Sequence, residues 1–431
     1  MAVSATDPHQ VIHRTIEAVW RIESARVIAG LTRLTRDFDL AEDLAQEALV
    51  AALEQWPQSG IPDNPAAWLT ATAKRRAIDF FRRNAVAKRK HEELARELEA
   101  LEQSSPDLDA TLDNTISDDL LRLVFIACHP ILPTESRAAL ALRLLGGLTT
   151  DEIARAFLTP EPAIAQRIVR AKRTLADKHV PFEVPRGLEF AARLSSVLEV
   201  IYLIFNEGYS ATTGDDLMRP ALCEDALRLG RILAELTPAE PEVHGLVALM
   251  EIQASRTRTR ITSAGELVLL FDQNRAQWDQ LLIHRGLTAI ERAHKINTTR
   301  GPYLLQAEIA ACHARARTPS ETDWHQIVIL YTELAQISPS PVIELNRAVA
   351  VSMAHGPQAG LTLVDALASE PSLARYHLLA SVRADLLYKL GRHPEAHTEF
   401  ERAAALTRNN RERDLLLARA ASCEADPTKR S

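Results

Sequence analysis

Between Lys74 and Lys90 eight cations (Lys74, Arg75, Arg76, Arg82, Arg83, Lys88, Arg89 and Lys90) stand against the single carboxylate of Asp79, a net charge of +7 in seventeen residues. Cations at that density neutralise phosphates, although the same run also describes a solvated helix face. Further along, "LTTDEIARAFLTPEPAIAQRIVRAKRTL" (148–175) reads as helix, short turn, helix. Thr150 is placed to cap the first of these helices, Ile153 and Ala154 face inward, and Pro160 suits a first turn. The closing helix then projects Gln166, Arg167, Arg170, Lys172 and Arg173 outward. A helix-turn-helix lays its second helix in the major groove, where Gln and Arg read base edges and further cations hold phosphates. Two DNA-compatible units in one chain support each other more than either does alone.

Other constellations point to packing. Asp43 and Glu47 are spaced i, i+4 as in a di-metal carboxylate site, but no Glu-x-x-His partner stands nearby. Cys128 and His129 are adjacent and so point apart on a helix, with no further ligand at zinc spacing. Cys128, Cys223, Cys312 and Cys423 form no CxxC pair, which reads as buried reduced thiols. Asn206, Glu207, Gly208 and Tyr209, taken with Asp272, Arg275, Trp278 and Asp279, resemble an active-site cluster, yet a turn and a polar network fixing helix packing accounts for them as well. Neither a metal nor a cofactor is expected.

These residues must be carried by helices. The 431-residue chain has 15 glycines and 5% aromatic residues, a composition of stacked helices, so the fold class expected is all-α. A net charge of -7 means that any DNA-binding surface is local. Leu40 to Trp56 forms an amphipathic helix with Asp39 as N-cap and with Glu42, Asp43, Gln46, Glu47 and Glu54 mostly outside its apolar stripe. Pro57, Gly60, Pro62 and Pro65 break the chain, and helical periodicity resumes over Ala66–Arg83. The expected domains are residues 1–91, an acidic linker over 92–117, a compact unit over 118–180, and a helical domain over 186–431. In the last, Gly356 and Gly391 stand 35 residues apart between helix pairs, and a weaker copy surrounds Ala311–Leu334, the spacing of tetratricopeptide repeats. The first twenty residues lack an apolar signal segment, and Val200–Phe205 is too short to span a bilayer. A cytoplasmic protein without membrane partners is expected.

"DFDLAEDLAQEALVAALEQWP" followed by "NPAAWLTATAKRRAIDFFRRN" resembles region 2 of bacterial extracytoplasmic-function (ECF) sigma factors, and Leu120–Leu175 resembles their region 4. The remainder, with "VIYLIFNEGYSA", "DQNRAQWD", "GPYLLQAEIAA" and "PSPVIELNRAVAV", is similar to the subgroup bearing a long tetratricopeptide-like C-terminal domain. The resemblance implies a non-enzymatic transcription initiation factor that binds core RNA polymerase, at the β′ clamp helices and β flap, and promoter DNA. Asp43, Gln46 and Glu47 match the surface that docks on the polymerase, where charge complementarity suits reversible binding. The helix from Trp68 to Arg83, with Lys74, Arg75, Arg82 and Arg83, matches the part that captures the -10 promoter element as single strand. Its base pocket is expected near Ser59–Asn64. Gln166 and Arg167 match base-proximal positions over the -35 element, and Arg170 and Lys172 phosphate contacts. Pro160 and Pro162 stand where the family more often has Ser and Gly, and Ala165 where many members carry a cation.

Two other readings use the same residues. A dedicated helix-turn-helix regulator with a sensing helical domain would bind duplex DNA tightly unaided. An enzyme seated among Asn206–Tyr209 and Asp272–Asp279 would require a polar pocket with perturbed carboxylates. The C-terminal domain itself is expected to regulate the rest of the chain or to bind a peptide or protein partner.

Overall fold

The computed structural model describes residues 8–84, 109–157, 159–209, 218–262, 267–297, 299–407 and 409–424. Among these the chain is all-α, with an isolated β-bridge between Ile261 and Leu267. It divides into two compact units, Met1–Ile201 and Tyr202–Ser431. No described helix is long and apolar enough to cross a membrane.

In the first unit, α1 (Pro8–Thr35), α2 (Phe38–Ser59) and α3 (Pro65–Asn84) pack on one another. Ala41, Leu44, Ala45, Ala48, Ala51, Ala52 and Trp56 of α2 are buried, as are Ile28 and Leu31 of α1 and Leu69, Ala73 and Ala77 of α3, where the three helices pack together. Small side chains at these crossings bring the axes close. Asp37, not Asp39, caps α2, accepting from the Asp39 and Leu40 amides. Pro57 does not break this helix, which runs on to Ser59 and ends at Gly60, whose φ of 84° is in the left-handed region open to glycine. Of the acidic linker, residues 92–108 lie outside the described residues, as do Lys88, Arg89 and Lys90 of the basic run, and 109–117 open the next helix, α4 (Asp109–Ala127).

After α4 come α5 (Thr134–Leu144), α6 (Thr150–Ala156) and α7 (Glu161–Asp177). Thr149, one residue before the expected Thr150, caps α6 in a reciprocal box with Glu152. Gly147 turns the chain between α5 and α6 at φ 69°, and a Cβ there would lie 2.9 Å from Ser24 Oγ of α1. Pro160 precedes the first turn of α7, whose Ile164, Ile168, Ala171 and Leu175 are buried. The next helix, α8 (Leu188–Tyr209), contributes its first half to this unit. Arg193 donates to the Phe125 carbonyl at 3.0 Å, Ser196 to the Cys128 carbonyl at 2.6 Å, and buried Arg137 bonds Ser196 and Glu199.

The second unit contains α9 (Pro220–Leu236), α10 (Pro241–Ala254), α11 (Gln280–Ile296), α12 (Pro302–Arg315), α13 (Trp324–Ile337), α14 (Pro341–His355), α15 (Pro357–Leu367), α16 (His377–Lys389), α17 (His393–Leu406) and α18 (Asn410–Glu424). Gly356 and Gly391, with φ of 95° and 76°, turn the chain between α14 and α15 and between α16 and α17. Leu345, Leu361, Leu387 and Phe400 are buried in the core these hairpins share. All four cysteines are buried, and burial pushes the thiols of Cys128 and Cys223 up to about 12 and that of Cys312 to about 11.

Candidate functional site

Helix periodicity divides α7 into two faces. Gln166, Val169, Arg170 and Arg173 point to solvent, and Val169 is 64% exposed, an apolar side chain among polar ones that helix periodicity alone does not single out. Side chains of these kinds have the chemistry to contact DNA: Gln to a base edge, an apolar group to a thymine methyl, Arg to phosphate or guanine. Arg167 is half-buried and pairs with Glu135 at 3.1 Å.

Lys172 departs from the expected outward orientation. Its side chain is only 13% exposed, and its Nζ lies 2.6 Å from Glu42 Oε2 and 2.8 Å from Asp39 Oδ1. Glu42, expected on the polar side of α2, is 6% exposed and also receives Arg143 Nε at 2.7 Å. Burial alone would push its carboxyl up, but the Lys172 ammonium and the Arg143 guanidinium outweigh burial and hold it below the usual carboxylate range. Burial likewise works against the Lys172 ammonium, and the two carboxylates overcome it, so Lys172 holds its proton more tightly than a free lysine. An arginine inside the otherwise apolar run of α5 was the one trace of this cluster in the sequence.

Asp43 and Glu47 are exposed on α2 and Gln46 is half-buried, so the three expected polymerase-docking residues lie on one edge of the helix. Gln46 Nε2 donates to Glu42 Oε1 at 3.1 Å, and Glu47 faces Arg76 of α3 at 3.7 Å. Partial burial and the carboxylates of Glu42, Asp39 and Asp37 raise the Asp43 carboxyl against the pull of Lys172.

On α3, Arg75, Arg82 and Arg83 are exposed and Lys74 is half-buried. Trp68 is half-buried and meets buried Trp56 edge to face, with ring centroids 5.3 Å apart. In the second unit Asp279 caps α11. Arg275 is buried, donates to the His313 and Ala316 carbonyls and to Thr322, and lies over the ring of Trp278. Burial and the nearby Arg256 and Arg275 push His313 down to about 3. Among the described residues no group of three His, Cys, Asp or Glu side chains is placed to hold a metal ion.

Residues 21–86 match the model of sigma-70 region 2, and residues 122–175 that of sigma-70 region 4. The chain therefore carries two sigma-70 domains. Residues 193–294 match a family of unknown function, DUF6596. Along most of its length the chain is similar to an uncharacterized protein of Rhizobium meliloti (strain 1021), 45% identical over 386 residues, 89% of this chain and 90% of the relative. A shorter stretch of 94 residues is 33% identical to serine/threonine-protein phosphatase T of Trypanosoma brucei brucei (strain 927/4 GUTat10.1), covering 21% of this chain and 19% of that one. The two sigma-70 matches take in α2, α3 and nearly all of α7, the helices that carry the acidic edge, the basic face and the solvent-facing row of Gln166, Val169, Arg170 and Arg173, and they support a role in promoter recognition.

Proposed function

We propose that the chain is an alternative sigma factor of the ECF kind, which binds core RNA polymerase through Asp43, Gln46 and Glu47, engages the -10 promoter element with α3 and reads the -35 element with α7. It performs no chemistry of its own; the polymerase does the catalysis. The observation that carries this reading is the solvent-facing row Gln166, Val169, Arg170 and Arg173 on the second helix of a matched region 4. On α3, Arg75, Arg82 and Arg83 supply exposed charge for a displaced strand. The second unit is read as a tetratricopeptide-like regulatory or partner-binding domain, supported by its helical hairpins turned at Gly356 and Gly391.

The test is co-purification of the full chain with core RNA polymerase, followed by run-off transcription from the promoter upstream of its own gene. A transcript that requires both proteins is the expected result. Tight unaided binding to duplex DNA with no polymerase association would favour a dedicated helix-turn-helix regulator instead.

A further inference from the structure

Two aromatic rings of the second unit gather three guanidinium groups. Arg260 Cζ lies 3.7 Å from the centroid of the Tyr209 ring, and Arg256 Cζ lies 5.9 Å from that centroid and 5.8 Å from the centroid of Trp278. Arg275 Cζ lies 5.2 Å from the Trp278 centroid. Tyr209 ends α8, Arg256 and Arg260 follow α10, and Arg275 and Trp278 precede α11. Arg256 and Arg260 thus join the two halves of the polar cluster that the sequence presents at 206–209 and 272–279.

Like charges held this close repel, and burial together with the Arg256 charge pulls the Arg275 guanidinium below its usual range. Elsewhere in the unit arginines are matched: Arg219 with Glu207, Arg231 with Glu251, Arg300 with Glu308 and Glu333, and Arg419 with Asp385. Among the described residues Arg256, Arg260 and Arg275 form no ion pair. The carboxylates that act on them, Glu321 on Arg275 and Glu412 on Arg260, do so from beyond bonding distance. Arg260 donates to the Tyr209 carbonyl, and Arg275 donates to carbonyls and to Thr322, bonds that fix packing. The Arg256 guanidinium donates to none of the described residues, and its Nε is buried. Arg275 Nε, Trp278 Nε1 and His313 Nδ1 are likewise buried without a partner, on residues 6%, 3% and 8% exposed. A buried donor without an acceptor is unfavourable, and four of them meet here.

Guanidinium and indole nitrogens can only donate, and His313, kept neutral by burial and by these arginines, adds no charge. The complement of such a set only accepts and carries more than one negative charge. A carboxylate brings a single charge, whereas a phosphate group brings about two at neutral pH on at least three oxygens. Its oxygens point in different directions, which suits donors arriving from separate segments, and guanidinium forks match it in pairs. We propose that Arg256, Arg260, Arg275 and Trp278 form a binding site for a phosphate group, free or at the end of a small monoester. Arg256 and Arg260 bring charge and donor forks, and Arg275 and Trp278 bring N–H groups already fixed by packing. The site lies within the second unit and does not depend on the sigma reading.

The test is calorimetric titration of the full chain, without polymerase, with inorganic phosphate and with glycerol phosphate at constant ionic strength. Saturable binding to one site is expected, with a rise in melting temperature that sodium chloride of equal ionic strength does not reproduce. Arg256→Gln should weaken binding about tenfold or more, the loss of a charge-assisted hydrogen bond. Arg258→Gln, at an exposed cation two residues on, should leave it unchanged. Arg256→Lys keeps the charge without the fork and should bind between the two, and it decides the matter if the glutamine variant does not fold. Tighter binding of inorganic phosphate assigns the site to the free ion, and tighter binding of glycerol phosphate to a monoester. No saturable binding of either probe, or equal binding by the wild type and the folded Arg256 variants, overturns the site and leaves the cluster as packing alone.

Discussion

Lys172 Nζ lies 2.6 Å from Glu42 Oε2, joining the proposed -35 reading helix to the helix proposed to dock on polymerase across 130 residues of sequence. Each charge is buried on account of the other. Removing Lys172 leaves Glu42 with Arg143 as its remaining cation. Lys172→Met is expected to lower the stability of the first unit by about 3 kcal/mol, the low end for breaking a buried pair because Arg143 remains. Urea unfolding of the full chain at neutral pH, followed in the transition of that unit, measures it.

The same pair sets a pH window. The folded Glu42 carboxyl is held below its ordinary 4.5, so its stabilisation is complete above that value and is lost as pH falls through the folded value. Lys172 is raised above its ordinary 10.5, so its share is complete below 10.5 and is lost as pH rises through the folded value. The contribution of this pair to the melting temperature of the first unit is expected to be constant across neutral pH and to fall on the acid side, and Glu42→Gln should make that acid limb shallower.

On the proposed reading, the outward face of α7 separates base contacts from phosphate contacts. Gln166→Ala should cost about 1–3 kcal/mol at one base position and relax specificity there. Arg170→Ala should weaken binding to all sequences alike and reduce the salt slope by about one. Binding titrations of the holoenzyme with core RNA polymerase against a panel of single-base variants, at several salt concentrations, distinguish the two patterns.

On α2, replacing Asp43 and Glu47 by Lys reverses the charge of the exposed acidic edge and should abolish co-purification with core polymerase. The helical circular dichroism signal should persist, since both side chains are exposed. Retained association would make this edge an ordinary solvated helix surface.

The first half of α8 belongs to the first unit through Arg193 and Ser196, and Phe190 packs on Phe125 with ring centroids 5.3 Å apart. A chain ended at Lys178 would therefore uncover Phe125 and strip buried Arg137 of Ser196 and Glu199. Such a chain should be less stable and more prone to aggregate than one ended at Ile201. Ser196→Ala in the full chain should cost about 1–3 kcal/mol for the acceptor and donor it leaves unpaired.

Much of this architecture is legible in the sequence because it is periodic. The apolar rows of α2, α3 and α7 announce their helices within a few residues, and the exposure of Gln166 and Arg170 follows from the burial of Ile164, Ile168 and Ala171. Local chemistry was legible only to within a residue or two. Asp37 and Asp39 both have the side chain of an N-cap, as do Thr149 and Thr150, and only backbone geometry decides between them. The fate of Lys172 and Glu42 was not legible. Each lies on the margin of its helix's apolar stripe, and which way such a residue turns is settled by a partner more than a hundred residues away.

The burial of the four cysteines has a chemical consequence. With thiols raised to about 12 at Cys128 and Cys223, about one molecule in 10⁵ carries either as a thiolate at neutral pH, and the thiolate is the species that oxidants and alkylating agents attack. Cys128 and Cys223 of the folded chain are thus poor targets for peroxide and for disulfide exchange. A maleimide added to it should mark only a cysteine introduced at the surface, and a thiol count with Ellman's reagent should rise to four only when the protein is unfolded.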